Sequence, residues 1–123
     1  MMGQTIIEKI VSRNVGHDAK PGDIVTVHVD RVMIHDIFIP FVAEKFEEMG
    51  FKKIWDPDKA VLIYDHLVPA SQVDDTRHFR AGNAFVEKYG MKNIHRSDGI
   101  CHQLMTEALY VKPGDIVFGT DSH

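Results

Sequence analysis

Two short groupings in this 123-residue chain set a carboxylate beside an imidazole. The first is Tyr64-Asp65-His66-Leu67. The second, Asp121-Ser122-His123, adds a hydroxyl. His102 lies between them in sequence, directly after Cys101. A carboxylate next to an imidazole fixes the ring's tautomer and favours its protonated form, so such a ring can give or take a proton near neutral pH. The same residue types are also metal ligands. Asp65, His66, His102, Asp121 and His123 around one zinc or iron ion is the alternative chemistry.

A lone Asp-His pair is more often structural than catalytic, so the position of each pair in the fold matters. The elements that must position them alternate between helix and strand. Thr5 and Glu8 fit a capping box at a helix start, followed by Ile6, Ile7, Ile10 and Val11 on one face. Lys20-Pro21-Gly22-Asp23 is a turn, and the β-branched run from Ile24 to Val29 predicts a buried strand. Asp36 reads as an N-cap, Pro40 fits the first turn of the helix, and Gly50 ends it. Ala60 to Tyr64 predicts a strand. A helix follows from Asp75 or Thr76 to Gly90, then a short segment at 93–95 and a helix from about Ile100 to Leu109. A second Lys-Pro-Gly-Asp turn at 112–115 feeds Ile116 to Phe118.

This alternation predicts parallel strands joined by right-handed crossovers, a three-layer αβα arrangement with a mainly parallel sheet. Chemistry in such sheets gathers beyond the carboxyl ends of the strands, where both Asp/His groupings stand. Asp65, His66, His102 and Asp121 are therefore expected to converge at one edge of the sheet. The other histidines read otherwise: His17, His78 and His95 as solvated, His28 and His35 as structural. Cys101 reads as a small apolar core residue.

Composition narrows the function. With 14 Lys and Arg against 18 Asp and Glu, the net charge is −4, which gives no basic surplus for nucleic acid. No apolar run approaches a membrane span, and the N-terminus lacks the pattern of a secretory signal. One cysteine forms no internal disulfide, and the chain reads as cytoplasmic.

Gly99-Ile100-Cys101-His102-Gln103, Glu107, Pro113-Gly114 and Gly119-Thr120-Asp121-Ser122-His123 resemble, in order and spacing, a segment of the aconitase and 3-isopropylmalate dehydratase large-subunit family. Asp65-His66-Leu67 resembles that family's Asp-His motif, and Gln4 to Ile10 its opening helix. Pro69, soon after the pair, is closer to the isopropylmalate and homoaconitate branch. The resemblance implies an aconitase-type iron–sulfur domain and a hydro-lyase acting on a hydroxy di- or tricarboxylic acid, as in leucine biosynthesis. It implies that His66, oriented by Asp65, protonates the departing hydroxyl. It pairs His102 with Asp121, gives Ser122 a substrate carboxylate and places His123 at the iron-bound hydroxyl. Its cofactor would be a [4Fe–4S] cluster in the full-length family, and its partners the rest of the large subunit and a small, swivel-domain subunit.

Two departures accompany the resemblance. Members often carry a substrate-binding glutamine just after the first strand, whereas residues 36–41 here read Asp-Ile-Phe-Ile-Pro-Phe. One cysteine cannot hold a cluster, so none is expected on this chain alone. Residues 1–123 are accordingly expected to be one domain resembling the N-terminal part of the catalytic domain, truncated at the Asp-Ser-His motif and inactive alone. A stand-alone non-catalytic α/β domain, with self-association covering an incomplete sheet, remains the rival beside the mononuclear metal protein.

Overall fold

The computed structural model describes residues 3–121. Eight elements follow one another: α1 (Ile6–Val15), β1 (Arg31–His35), α2 (Ile39–Glu48), β2 (Ala60–Ile63), α3 (Asp75–Tyr89), β3 (Asn93–His95), α4 (Cys101–Glu107) and β4 (Val117–Gly119). The four strands form one parallel sheet in the order β3-β2-β1-β4. The chain moves from β1 outward to β2 and β3, then returns to the other side of β1. The order therefore reverses between β1 and β4, which makes the carboxyl ends of these two strands the switch point of the sheet.

Alternation along the strands builds the layers, because successive side chains leave opposite faces. Met33, Val61 and Ile63 pack on one face against Cys101, Leu104 and Met105 of α4. Ile34 and Leu62 pack on the other against Ile39 and Phe85, with Phe46 and Tyr89 closing over them. Phe46 joins the two helices on that face, its ring 5.6 Å from Phe85 and 4.8 Å from Tyr89. Val61, Leu62 and Ile63 are fully buried, each burial contributing about 2 kcal/mol. This is the expected three-layer arrangement, with a sheet that is wholly parallel.

Local sequence explains the ends of the elements. Thr5 Oγ1 accepts from the Glu8 N–H while Glu8 accepts from the Thr5 N–H, the capping box read from the sequence. Both Lys-Pro-Gly-Asp turns have the same form: Asp23 and Asp115 each accept from the lysine N–H three residues earlier, and Gly22 and Gly114 both sit at φ 94°.

One expected strand is absent. Residues 24–29 form no ladder, and Ile24 is fully exposed. Asn14 on α1 instead bonds both backbone groups of His28, donating to its carbonyl at 2.8 Å and accepting from its N–H at 2.7 Å. Both sides of β1 are taken from Arg31 onward, by β2 and β4, so this β-branched run cannot pair with β1. The first strand thus begins at Arg31, after the predicted strand has ended. Asp36 is not the cap of α2; Phe38 holds that position without a side-chain hydrogen bond.

Candidate functional site at the sheet switch point

The carboxyl ends of β1, β2 and β4 deliver His35-Asp36, Asp65-His66 and Asp121 to one end of the sheet, and the start of α4 adds Cys101 and His102. Asp36 is fully buried and ties β1 to β2. Its carboxylate accepts the N–H groups of Ile37 (3.1 Å), His66 (3.1 Å) and Leu67 (2.8 Å). Its carbonyl accepts from His78 Nδ1 at 3.1 Å, so His78, expected to be solvated, anchors α3 to this corner.

Asp65 links the next two elements. One oxygen lies 2.6 Å from His66 Nδ1, and the other accepts the Cys101 N–H at 2.6 Å. Burial pushes the Asp65 carboxyl upward, but the bonds from Cys101 and His66 outweigh it and leave its pKa below the usual aspartate value. An ionised Asp65 requires the proton of His66 to sit on Nδ1, which leaves Nε2 to face reactants. The ring is 31% exposed, so it is held at its base and open at its tip. Across the switch point, Asp121 Oδ2 is 3.7 Å from His102 Nε2 and its Oδ1 is 3.9 Å from His35 Nε2.

The structure thus brings Asp65, His66, His102 and Asp121 to one end of the sheet, linked by Asp65–Cys101 and His102–Asp121. Ser122 and His123 lie outside the described residues.

Sequence reasoning passed over His35. Its side chain is 1% exposed, it stacks on His66 with ring centroids 4.0 Å apart, and neither ring nitrogen has a hydrogen-bond partner among the described residues. Burial first, then the neighbouring His66, lowers its pKa below the usual histidine value, against the opposing pull of Asp121, Asp65 and Asp36. His35-Asp36 is itself a third imidazole–carboxylate pair at a strand end. The available signal was the apolar run Val32-Met33-Ile34 just before it, which was masked by placing the strand at 24–29.

Three overlapping trios bring ligand atoms within 4.8 Å of one another: His35, His66 and Asp121; Cys101, His102 and Asp121; Asp36, Asp65 and His66. Chemically the site offers an oriented imidazole, a second histidine beside a carboxylate, and a buried histidine with unspent nitrogens.

The model of the Aconitase family (aconitate hydratase) matches residues 8–123. The chain belongs to the aconitase family. It is 43% identical over 123 residues to 3-isopropylmalate dehydratase large subunit 1 of Methanopyrus kandleri, covering 99% of this chain and 29% of that one. The corresponding large subunit 1 of Thermotoga maritima is 42% identical over 122 residues, covering 99% and 29%. The methanogen homoaconitase large subunit of Methanocaldococcus jannaschii is 40% identical over 120 residues, covering 97% and 28%. The chain thus spans about 29% of the length of the curated relatives it matches.

The aconitase family generally uses a [4Fe–4S] cluster. Such clusters are anchored by several cysteine thiolates. The one thiol here, Cys101, is 1% exposed, and burial and then the Asp65 carboxylate push its pKa up to about 12. A buried, protonated thiol does not fit a cluster ligand. Among the described residues, no helix is long and apolar enough to cross a membrane.

Proposed function

We propose that residues 1–123 form one domain supplying the proton-handling side of a hydro-lyase site, in an enzyme that dehydrates and rehydrates a hydroxy di- or tricarboxylic acid of the 3-isopropylmalate type. The observation that carries this is the Asp65–His66 pair, fixed by Asp36 and the α4 amide at the switch point of a parallel sheet in an aconitase-family chain.

Loss of hydroxide from a saturated carbon needs a proton on the departing oxygen. His66 is the donor in this reading: as the imidazolium it gives the Nε2 proton to the departing oxygen and keeps its Nδ1–H on Asp65. Asp65 holds its Nδ1, and Asp36 holds its backbone, so the ring cannot swing away as the proton leaves. His102, beside Asp121, is the second imidazole and orients the substrate's oxygens. Ser122 would hold a substrate carboxylate and His123 the hydroxyl. The remaining substrate contacts, the cluster ligands and the proton-abstracting base belong to further large-subunit chain and to a small subunit. The setting is cytoplasmic, in branched-chain amino-acid synthesis.

The test is a graft. This chain replaces the matching part of the Thermotoga maritima large subunit, which is then assembled anaerobically with its small subunit and assayed for dehydration of 3-isopropylmalate. The chimera is expected to turn over, and His66→Asn to lower kcat by about 10²–10⁴-fold, the usual range for a general acid. The 123-residue chain alone is expected to show no turnover. An inactive but folded, cluster-loaded chimera, or one indifferent to His66→Asn, would refute the reading.

A further inference from the structure

Asp65 fixes His66 at one atom. Its oxygen lies 2.6 Å from Nδ1, so the ring cannot swing away. The bond does less for the plane of the ring. The last torsion of a histidine side chain is broad, so a ring held at one nitrogen can still tilt and carry Nε2 off line. A donor that must meet the departing oxygen at hydrogen-bond distance needs both the bond and the plane.

His35 supplies what Asp65 leaves open. Its ring lies against the His66 ring with centroids 4.0 Å apart and planes 22° from parallel. His35 itself is well fixed. It ends β1 in register with Ile63, its N–H donates to Thr120 Oγ1 at 3.2 Å, and its carbonyl accepts the Phe38 N–H at 3.2 Å. The Phe38 ring flanks it at 5.0 Å. The side chain is 1% exposed, yet neither ring nitrogen has a hydrogen-bond partner among the described residues. A buried imidazole normally spends its nitrogens. Here the flat face is what meets another group of the site. Burial also favours the neutral form of His35, so His66 can carry a proton without facing a second positive ring.

We propose that His35 is a positioning residue: its buried face is the platform that fixes the plane of the His66 ring and so aims Nε2 at the departing oxygen. This role in proton delivery rests on the hydro-lyase reading, whereas the ring contact is a property of the chain itself. Because the face carries the role and the nitrogens do not, phenylalanine can replace histidine here and an aliphatic side chain cannot.

In the Thermotoga maritima chimera, His35→Leu should lower kcat by about 10–10²-fold at unchanged KM, the scale of loss when a reacting group is misplaced by about 1 Å. His35→Phe should recover most of that loss. In the 123-residue chain, carbon relaxation of the His66 ring should give an order parameter of about 0.85, as rigid as backbone, falling below about 0.6 in His35→Leu. Circular dichroism confirms that each variant folds. If His35→Phe does not fold, the relaxation of the wild-type chain and of His35→Leu decides. Full activity in His35→Leu, a folded His35→Phe as impaired as His35→Leu, a His66 ring mobile in the wild-type chain, or one equally ordered without the His35 ring would overturn the proposal. A chimera that never turns over refutes the hydro-lyase reading alone, because the order of the His66 ring is measured without substrate.

Discussion

At the scale of single residues, the corner turns on Asp36. Three N–H groups converge on one fully buried carboxylate, and two of them belong to the segment carrying His66. Asp36→Asn keeps the shape but replaces one acceptor oxygen with a donor that faces another donor. Loss of a buried hydrogen bond to a charged group, with its partner left unpaired, predicts destabilisation of about 3 kcal/mol, read as a lower urea midpoint at unchanged slope. His35 adds a pH signature. Its folded pKa lies below the unfolded value of 6.5, so between those two values the unfolded chain holds more protons. Stability then rises with pH through that window; the contribution is complete above about 6.5 and is lost as the pH falls below it. Urea midpoints measured in a chelator across pH 5–8 check this, at about one-unit spacing around the reference histidine value. His35→Gln should flatten the dependence. A slope unchanged by that substitution would assign it to another group. The positions of Asp65, His66 and Asp121 beyond strand ends were legible in sequence, because polar residues stand there directly after apolar runs. His35 and Asp36 were not, because what distinguishes them is burial, and burial depends on which residues the sheet pairs.

At the scale of elements, hydrophobic period and turn chemistry placed α1, α3, α4, β2 and β4 to within a few residues. They failed at 24–29, where β-branched composition described a segment suited to a sheet, whereas Asn14 of α1 holds its backbone at His28. The apolar run at 32–34 is shorter and less β-branched, yet it occupies the sheet's interior because both its sides are paired. Helix α3 carries a device no periodicity reveals. Gly82 is buried where Tyr64, at the end of β2, presses against the helix; a Cβ there would run into the Tyr64 hydroxyl oxygen. That hydroxyl bonds Asn83 Oδ1 at 2.9 Å and Phe79 O at 3.2 Å. In an exposed helix, Gly→Ala would add about 1 kcal/mol of stability. Here Gly82→Ala must push Tyr64 aside, and overpacking of this kind costs about 1–3 kcal/mol. Thermal denaturation should therefore show a lower Tm for Gly82→Ala. Tyr64→Phe removes the hydroxyl that the Cβ would meet, so the double variant should lose less than the sum of the singles. Strict additivity would mean that the close approach is not what makes glycine necessary.

For the molecule as a whole, the two edges of the sheet differ. β3 ends beside a half-buried His95, whose Nδ1 meets Asp98 and whose Nε2 meets the Tyr110 hydroxyl, so polar side chains occupy that edge. On the other edge all three residues of β4 are exposed, Phe118 at 57%. Met33, Met105, Val111 and Val117 line an apolar groove of about 340 Å³ beside it, reaching to His102 and Asp121. Among the described residues β4 is an edge strand, and an edge strand next to an apolar groove is a template for adding chain. In this 123-residue chain the nearest source of such chain is a second copy. We therefore expect concentration-dependent self-association through β4, seen as a rising weight-average sedimentation coefficient. Phe118→Lys places a charge on the pairing edge and should return the chain to monomer across that range. Trp55, 66% exposed and lining the α2–α3 side near Phe46 and Phe85, supplies the control. Trp55→Lys should leave association unchanged. If it dissociates the chain while Phe118→Lys does not, the contact lies on the α2–α3 face. The β4 edge would then be free to receive further large-subunit chain, next to the residues proposed to handle the proton.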